Sequence, residues 1–307
     1  MDENGITFPV DRARTLLDLL APESELISAT VAEGSFSNFT HVLTAQRKDG
    51  SRYRAVVRRY KVFGNYDRGE KARREFKTFE LLKRHRVPAP KTLLLDVSGD
   101  ILGLPGIVVS FVEGRLRLDA PDDPFDWARK LARTLADIHL IPCGEKEQEF
   151  LLQGNQEASW FLNSAGPPPY MRAYPGGSEL WGDLQKEILK AKLVPPVLLH
   201  IDYWSGNILW NENEISAVID WEEAAYGDPA IDVGYAVMNM ALMGLSEAGD
   251  EFLRAYESIT ARTLQNLGFW ELAAAVRPMI DPLDWQIDRS PGKERFRNFI
   301  EQAKKKI

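Results

Sequence analysis

The residues best suited to chemistry are gathered in one stretch, PPVLLHIDYWSGNILWNENEISAVIDWEEAAYGDPAIDVGY, from Pro195 to Tyr235. His200 and Asp202 flank Ile201, and Asn207 follows five residues after Asp202. Asp220 closes the apolar run Ile215–Ile219. That run and Ile208–Trp210 have the length of short strands, and the polar NENE between them reads as a turn. A tight hairpin centred on Asn213 and Glu214 pairs Ile208 with Ile219, Trp210 with Ala217 and Asn207 with Asp220. Directly opposed residues lie about 4.5–5.5 Å apart. This register brings an amide oxygen and a carboxylate to one open end, which Asp202 enters from the preceding loop. Two hard oxygen donors, completed by waters and phosphate oxygens, suit Mg²⁺, which demands near-octahedral geometry at about 2.0–2.1 Å. A third carboxylate outside the metal shell can take the proton of an attacking hydroxyl. The chemistry this layout suits is phosphoryl transfer, in which positioning and charge neutralisation do most of the work.

Taken singly, each residue has a plainer reading. A loop aspartate is usually a turn former, an asparagine after glycine a turn residue, Asp220 a strand-end cap and His200 a satisfied core histidine. Their joint spacing sets the catalytic reading ahead. It also resembles the aminoglycoside phosphotransferase and choline kinase-like family, a branch of the protein kinase-like fold, in HIDYWSGNILW and VIDWEEAAYGDPAIDVGY. The resemblance implies that Asp202 is the catalytic base, that Asn207 and Asp220 ligate Mg²⁺, and that His200 buttresses the loop. The family usually has Gly between the His and Asp, where this chain has Ile201. In GDPAID, Asp228 is a good N-cap, Pro229 suits the first helical position and Asp232 falls in the first turn. By resemblance Asp232 also anchors the catalytic loop.

The elements that must position these residues follow from periodicity. Residues 9–20 read as a short helix, 25–45 as strand, turn, strand, and 53–60 as a further strand after the Lys48-Asp49-Gly50 turn. Residues 68–85 form an amphipathic helix with Ala72, Phe76, Phe79 and Leu82 on one stripe, stopped by VPAP. Thr92–Val97 and Gly106–Val112 are strand candidates. After Glu113 and Gly114 the chain turns helical, beginning with a stripe of Trp127, Ala128, Leu131, Leu135 and Ile138. Residues 163–178 read as a Pro/Gly-rich loop, 179–192 and two segments of 230–265 as helical, and 293–307 as a basic amphipathic tail. The expected fold is α+β and two-lobed, of the protein kinase-like type. An N-lobe (1–113) holds an antiparallel sheet with one helix, and a larger, mainly helical C-lobe (114–307) holds the catalytic hairpin.

The resemblance gives the N-lobe the nucleotide, ATP or GTP. Gly34, Ser37 and Asn38 lie between two strands, where backbone N–H groups can approach phosphates; alone, this reads as an ordinary hairpin turn. Ala55-Val56-Val57-Arg58 aligns with the strand whose lysine contacts the inner phosphates in kinases. Arg58 stands in the lysine's place, a permanent cation able to grip phosphate bidentately. Arg59 and Lys61 are alternatives, Arg59 facing the opposite side of the strand. Glu75 is the expected partner of Arg58, against the plainer surface pair with Lys71. Phe111 and Val112 fall in the lobe connector, at the level of adenine. The acceptor is a small-molecule hydroxyl compound. Tyr203, Trp204, Glu222, Glu223, Trp285 and Asp288 would suit a cationic amino alcohol or aminoglycoside through charge and cation–π contact.

Composition narrows the alternatives. The chain has 307 residues, 44% hydrophobic and 27% charged, with net charge −7, which fits a folded globular protein. A net acidic chain is a poor nucleic-acid binder by general electrostatics. The single cysteine, Cys143, excludes an internal disulfide and a Cys-rich zinc site. The acidic MDENGITFPV start lacks the apolar core of a signal peptide, and no run of 18 apolar residues marks a membrane span. The expectation is a cytoplasmic monomer or homodimer with no membrane or nucleic-acid partner. Three rival readings remain: a nucleotide-binding pseudokinase, for which Arg58 is the only support; a metal-dependent hydrolase, short of histidines; and a protein kinase, for which too few residues separate Asn207 from Asp220 to hold an activation segment.

Overall fold

The computed structural model describes residues 7–32, 38–61 and 67–307. The chain divides into two compact units, residues up to Arg115 together with Leu209–Glu223, and Leu116–Ile208 together with Ala224–Ile307. The division thus falls at Arg115 rather than Glu113. The expected catalytic hairpin belongs to the first unit instead of the second, because its strands contact the N-terminal residues: Val218 N–H donates to Pro88 O at 2.9 Å.

The first unit begins with helix α1 (Val10–Leu20) and continues through strands β1 (Glu25–Val31), β2 (Phe39–Gln46) and β3 (Arg52–Arg59). Helix α2 (Arg68–Arg84) and strands β4 (Thr92–Asp96) and β5 (Gly106–Ser110) follow. Among the described residues the strands form one sheet in the order β1-β2-β3-β5-β4. Every pairing is antiparallel, Val42 facing Val56 and Val57 facing Val108. Lys48, Asp49 and Gly50 make the β2–β3 turn, where Gly50 takes φ +83° and the Asp49 carboxylate accepts from Ser51 N–H at 2.8 Å. Alternation sends successive side chains to opposite faces. Leu43, Ala45, Ala55, Val57 and Val108 therefore share one face and bury against Ala13, Leu16 and Leu17 of α1, while Arg58 projects from the other.

Helix α2 starts at Asp67, whose carboxylate accepts from Glu70 N–H at 2.9 Å. Ala72, Phe79 and Leu82 are buried as the stripe predicts, but Phe76 is only half-buried. Its place on the inward face goes to charged residues: Lys71, Arg74 and Glu75 are all buried. A buried charge needs a partner, so this face marks polar chemistry rather than core.

The second unit is mainly helical. Helix α3 (Pro124–His139) is capped by Asp123, which accepts from Phe125 and Asp126 N–H. Its stripe, Trp127, Ala128, Leu131, Leu135 and Ile138, is buried throughout, and the helix packs on Ser246–Thr260. Helix Ala230–Leu242 packs on Leu267–Ala274, with Gly292–Lys304 against both. The Pro/Gly-rich stretch expected as loop holds a short helix, Pro169–Ala173, with proline at its first position. Strands Leu152–Gln153, Ala225–Gly227 and Val197–Leu199 form a small sheet. Val197–Leu199 is buried at all three positions and delivers the chain directly to His200. No helix among the described residues is long and apolar enough to cross a membrane.

Candidate active site

In the first unit the polar chemistry centres on Arg58. Its Nε donates to Glu75 Oε2 at 3.1 Å and its Nη2 to Asp220 Oδ1 at 2.6 Å. Glu75 is fully buried and also accepts from the Tyr60 hydroxyl and from Trp221 N–H at 3.1 Å. Glu222 accepts from Asn38 Nδ2 at 2.5 Å and lies 3.5 Å from Lys71 Nζ. The Glu222 carbonyl accepts from Arg74 at 2.6 Å.

Three carboxylates, Glu75, Asp220 and Glu222, thus meet three cations, Arg58, Lys71 and Arg74, and the electrostatics follow. Burial opposes the charge on Arg58, but Asp220 and Glu75 outweigh it and hold the guanidinium protonated well above its ordinary value. Burial pushes Glu75 up against the pull of Arg58, and Asp220 adds to the rise. Glu222 is raised by burial and then by Asp220. Asp220 supplies carboxylate oxygen, the hard donor type that Mg²⁺ takes.

Asp220 is reached differently from the sequence expectation. The strands of the hairpin are Ile208–Asn211 and Glu214–Val218. The turn is therefore Glu212-Asn213, with Glu212 at φ +54°, one residue earlier than predicted. Ser216 Oγ donates to Leu209 O across the ladder. Two-residue hairpins favour positive φ at the turn, which matches the twist of the flanking strands. The ladder ends at Val218, and Asp220 lies beyond it at φ +67°, so no strand pairing opposes Asn207 to Asp220.

In the second unit the loop after Val197–Leu199 carries the remaining residues. The fully buried Asp232 is its anchor: its carboxylate accepts from His200 N–H and Ile201 N–H, each at 2.7 Å, and meets His139 Nε2 at 3.1 Å. The His139 ring is held in turn by the Tyr256 hydroxyl at 2.7 Å. Ile201 is forced to φ +73°, a conformation that glycine takes freely and a β-branched residue resists. The two backbone bonds to Asp232 hold it there. His200 is fully buried, and its Nδ1 accepts from Asp202 N–H at 3.3 Å.

Asp202 is held on both sides. Asn207 Nδ2 donates to its Oδ2 at 2.8 Å and to its main-chain carbonyl at 2.9 Å, so the amide oxygen is the acceptor end of that side chain. Arg277 Nη1 donates to Asp202 Oδ1 at 3.2 Å. The Asp202 side chain keeps 32% of its surface exposed, so the carboxylate remains reachable. Asn207 ends a 3₁₀ turn, Ser205–Asn207. Its preceding glycine is required: a Cβ on Gly206 would stand 2.2 Å from the Trp204 ring.

Gly34 and Ser37 lie outside the described residues. Asn38 is buried and bonded to Glu222. Arg59 faces away from Arg58 and donates to Thr7 O at 3.0 Å. Phe111 lies under the Arg54 guanidinium at 3.9 Å, and Val112 beside it is half-buried. Of the expected acceptor contacts, Glu222 is inside the Arg58 cluster, and Tyr203 is fully buried with its hydroxyl on Leu131 O at 2.9 Å. Trp204 is half-buried, Glu223 and Asp288 are exposed, and Trp285 packs edge-on to Tyr235. Asp228 Oδ1 accepts from Ala230 N–H, and its Oδ2 accepts from Asn266 and Trp270. The helix starts at Ala230, so Pro229 is its capping residue rather than its first turn.

Sequence reasoning missed Arg277, Tyr235, Tyr60, Lys71 and His139. His139 closes the α3 stripe, a signal that was present; nothing in the local pattern around Arg277 points to Asp202, which lies 75 positions away.

The chain matches the phosphotransferase enzyme family over residues 31–270 and belongs to it. The fold is that of solved kinases and phosphotransferases. It is similar to the macrolide 2′-phosphotransferase of Brachybacterium faecium, at a TM-score of 0.60 and 20% identity over 93% of this chain and 97% of the other. It is also similar to a choline kinase of Streptococcus pneumoniae, at 0.59 and 17% identity over 95% and 96%. In sequence it is 28% identical, over 187 residues and 54% of its length, to "Probable acyl-CoA dehydrogenase IBR3" of Arabidopsis thaliana. The chain spans only 22% of that relative.

Proposed function

We propose that the protein transfers the γ-phosphate of ATP or GTP to a hydroxyl group of a small molecule, in the cytoplasm. The observation that carries this reading is the setting of Asp202, a reachable carboxylate whose backbone is fixed by His200 and Asp232 and whose oxygens are aimed by Asn207 and Arg277. Asp202 takes the hydroxyl proton as the acceptor oxygen bonds to the γ-phosphorus. The bond to the bridging oxygen breaks, and its electron pair leaves with the nucleoside diphosphate. Asn207 and Asp220 would be the oxygen donors to Mg²⁺, which when bound would neutralise charge on the phosphates. Among the described residues no group of three His, Cys, Asp or Glu side chains could hold a metal.

Arg58 is oriented by Glu75 and is the cation for the inner phosphates, doing the work of the kinase lysine. The resemblance assigns Gly34, Ser37 and Asn38 to the phosphates and Phe111 and Val112 to the base. An aminoglycoside or other amino alcohol is the acceptor class that the sequence alone suggests.

The test is thermal stabilisation by ATP and by GTP, with and without Mg²⁺, followed by a screen of alcohols for phosphorylation. A Mg²⁺-dependent shift with turnover on one acceptor class is expected. Nucleotide binding without transfer to any alcohol would favour the pseudokinase reading.

A further inference from the structure

We propose that the acceptor carries an anionic group beside the hydroxyl that is phosphorylated, and that Arg277 is the residue that recognises it. This rests on the phosphotransferase reading above and replaces the amino-alcohol acceptor that the sequence suggests with an anionic one.

Asp202 can act as base only on a hydroxyl within about 2.6–3.2 Å of its carboxylate. Its Oδ2 is taken by Asn207, the residue assigned to the metal and phosphate side. The other oxygen, Oδ1, faces Arg277 at 3.2 Å. An acceptor placed for attack therefore sits within a few ångströms of a permanent cation. Arg277 is also set in place. Its guanidinium lies over the Tyr235 ring at 4.8 Å, and that ring packs edge-on to Trp285 at 6.5 Å. Burial and the neighbouring Asp202 charge push the Tyr235 hydroxyl well above its ordinary value, so it stays neutral beside Arg277. A planar guanidinium fixed on an aromatic platform, with 29% of its side chain exposed, suits recognition of a carboxylate or phosphate. An ammonium group in the same place meets like charge. An anionic group gives Arg277 a partner in place of the oxygen that the hydroxyl uses on Asp202.

The test compares matched short acceptors with Mg²⁺ and the nucleotide that binds: hydroxy acids, their uncharged amides, alcohols bearing a phosphate ester, and amino alcohols. The wild type is expected to favour one anionic series over the amides by about 10–100-fold in kcat/KM, the value of a charge-assisted hydrogen bond. Which of the two anionic series wins separates carboxylate from phosphate. Because Arg277 also holds Asp202, Arg277→Gln should lower kcat for every series and should in addition erase the anionic preference through KM, and Arg277→Lys should keep part of that preference. The wild-type ranking and the lysine variant carry the test if the glutamine variant does not fold. Amino alcohols as the best wild-type acceptors would overturn the proposal, as would an Arg277→Gln loss in kcat/KM that is equal for every class, which leaves the preference intact. Either result leaves the phosphotransferase reading standing. Transfer to none of the four classes overturns that reading and this proposal with it.

Discussion

Arg58 joins Asp220, 162 positions away, through a 2.6 Å bond from Nη2 to Oδ1, while its Nε holds Glu75. One guanidinium thus binds the carboxylate assigned to the metal and the carboxylate that orients the cation. The planar fork makes this double engagement natural for arginine; the compact ammonium of lysine offers no such fixed geometry. The departure from the kinase lysine is therefore built into the site.

Glu75 is the buried partner on which this arrangement depends. Glu75→Ala strips carboxylate partners from Arg58, Tyr60 and the Trp221 N–H together. Removing one partner of a buried pair costs about 3–5 kcal/mol, and urea unfolding should show a loss of that order. Glu75→Gln should lose less, because an amide oxygen can still accept from Trp221. Equal losses in the two variants would remove the charge from the explanation.

Asp202→Asn should lower kcat by about 10²–10⁴-fold with nucleotide binding retained. Steady-state kinetics paired with a nucleotide-dependent thermal shift checks both halves. Turnover near that of the wild type would end the general-base role.

Ile201 offers a test of backbone strain separated from packing. Its side chain is 2% exposed, so any truncation costs core burial. At an ordinary position alanine is more stable than glycine by about 0.5–1 kcal/mol. At φ +73° the order should invert, with Ile201→Gly more stable than Ile201→Ala by about 1 kcal/mol. Denaturant midpoints of the two variants measure the difference, and alanine remaining the better would show that the loop relaxes out of the left-handed region.

Glu271 predicts a pH dependence of stability. It is fully buried, with Lys306 Nζ 2.6 Å from Oε1. Burial raises it above its ordinary 4.5, and Lys306 offsets part of the rise. Below pH 4.5 both folded and unfolded chains hold the proton. As pH climbs past 4.5 the unfolded chain ionises first, so stability falls until the folded-state value is passed. Glu271→Gln should lack this fall. Unfolding free energies of both proteins from pH 4 to 7 give the comparison, and parallel curves would remove Glu271 as the source.

The sequence by itself determined the local elements and the residue set. The alternation of β3 and the apolar stripe of α3 are legible because they depend on neighbours within one turn or one pleat. The His200-to-Asp220 segment is legible because its residue types and spacing are specific as a group. The hairpin turn was misplaced by one residue, since NENE holds several good turn formers and only the ladder decides which two residues turn. The tertiary structure alone decided the partners. Arg58 with Asp220, Arg277 with Asp202, and His139 with Asp232 are pairs that no periodicity encodes. They form because packing buries charged side chains from distant segments together, and a buried charge is stable only beside its complement.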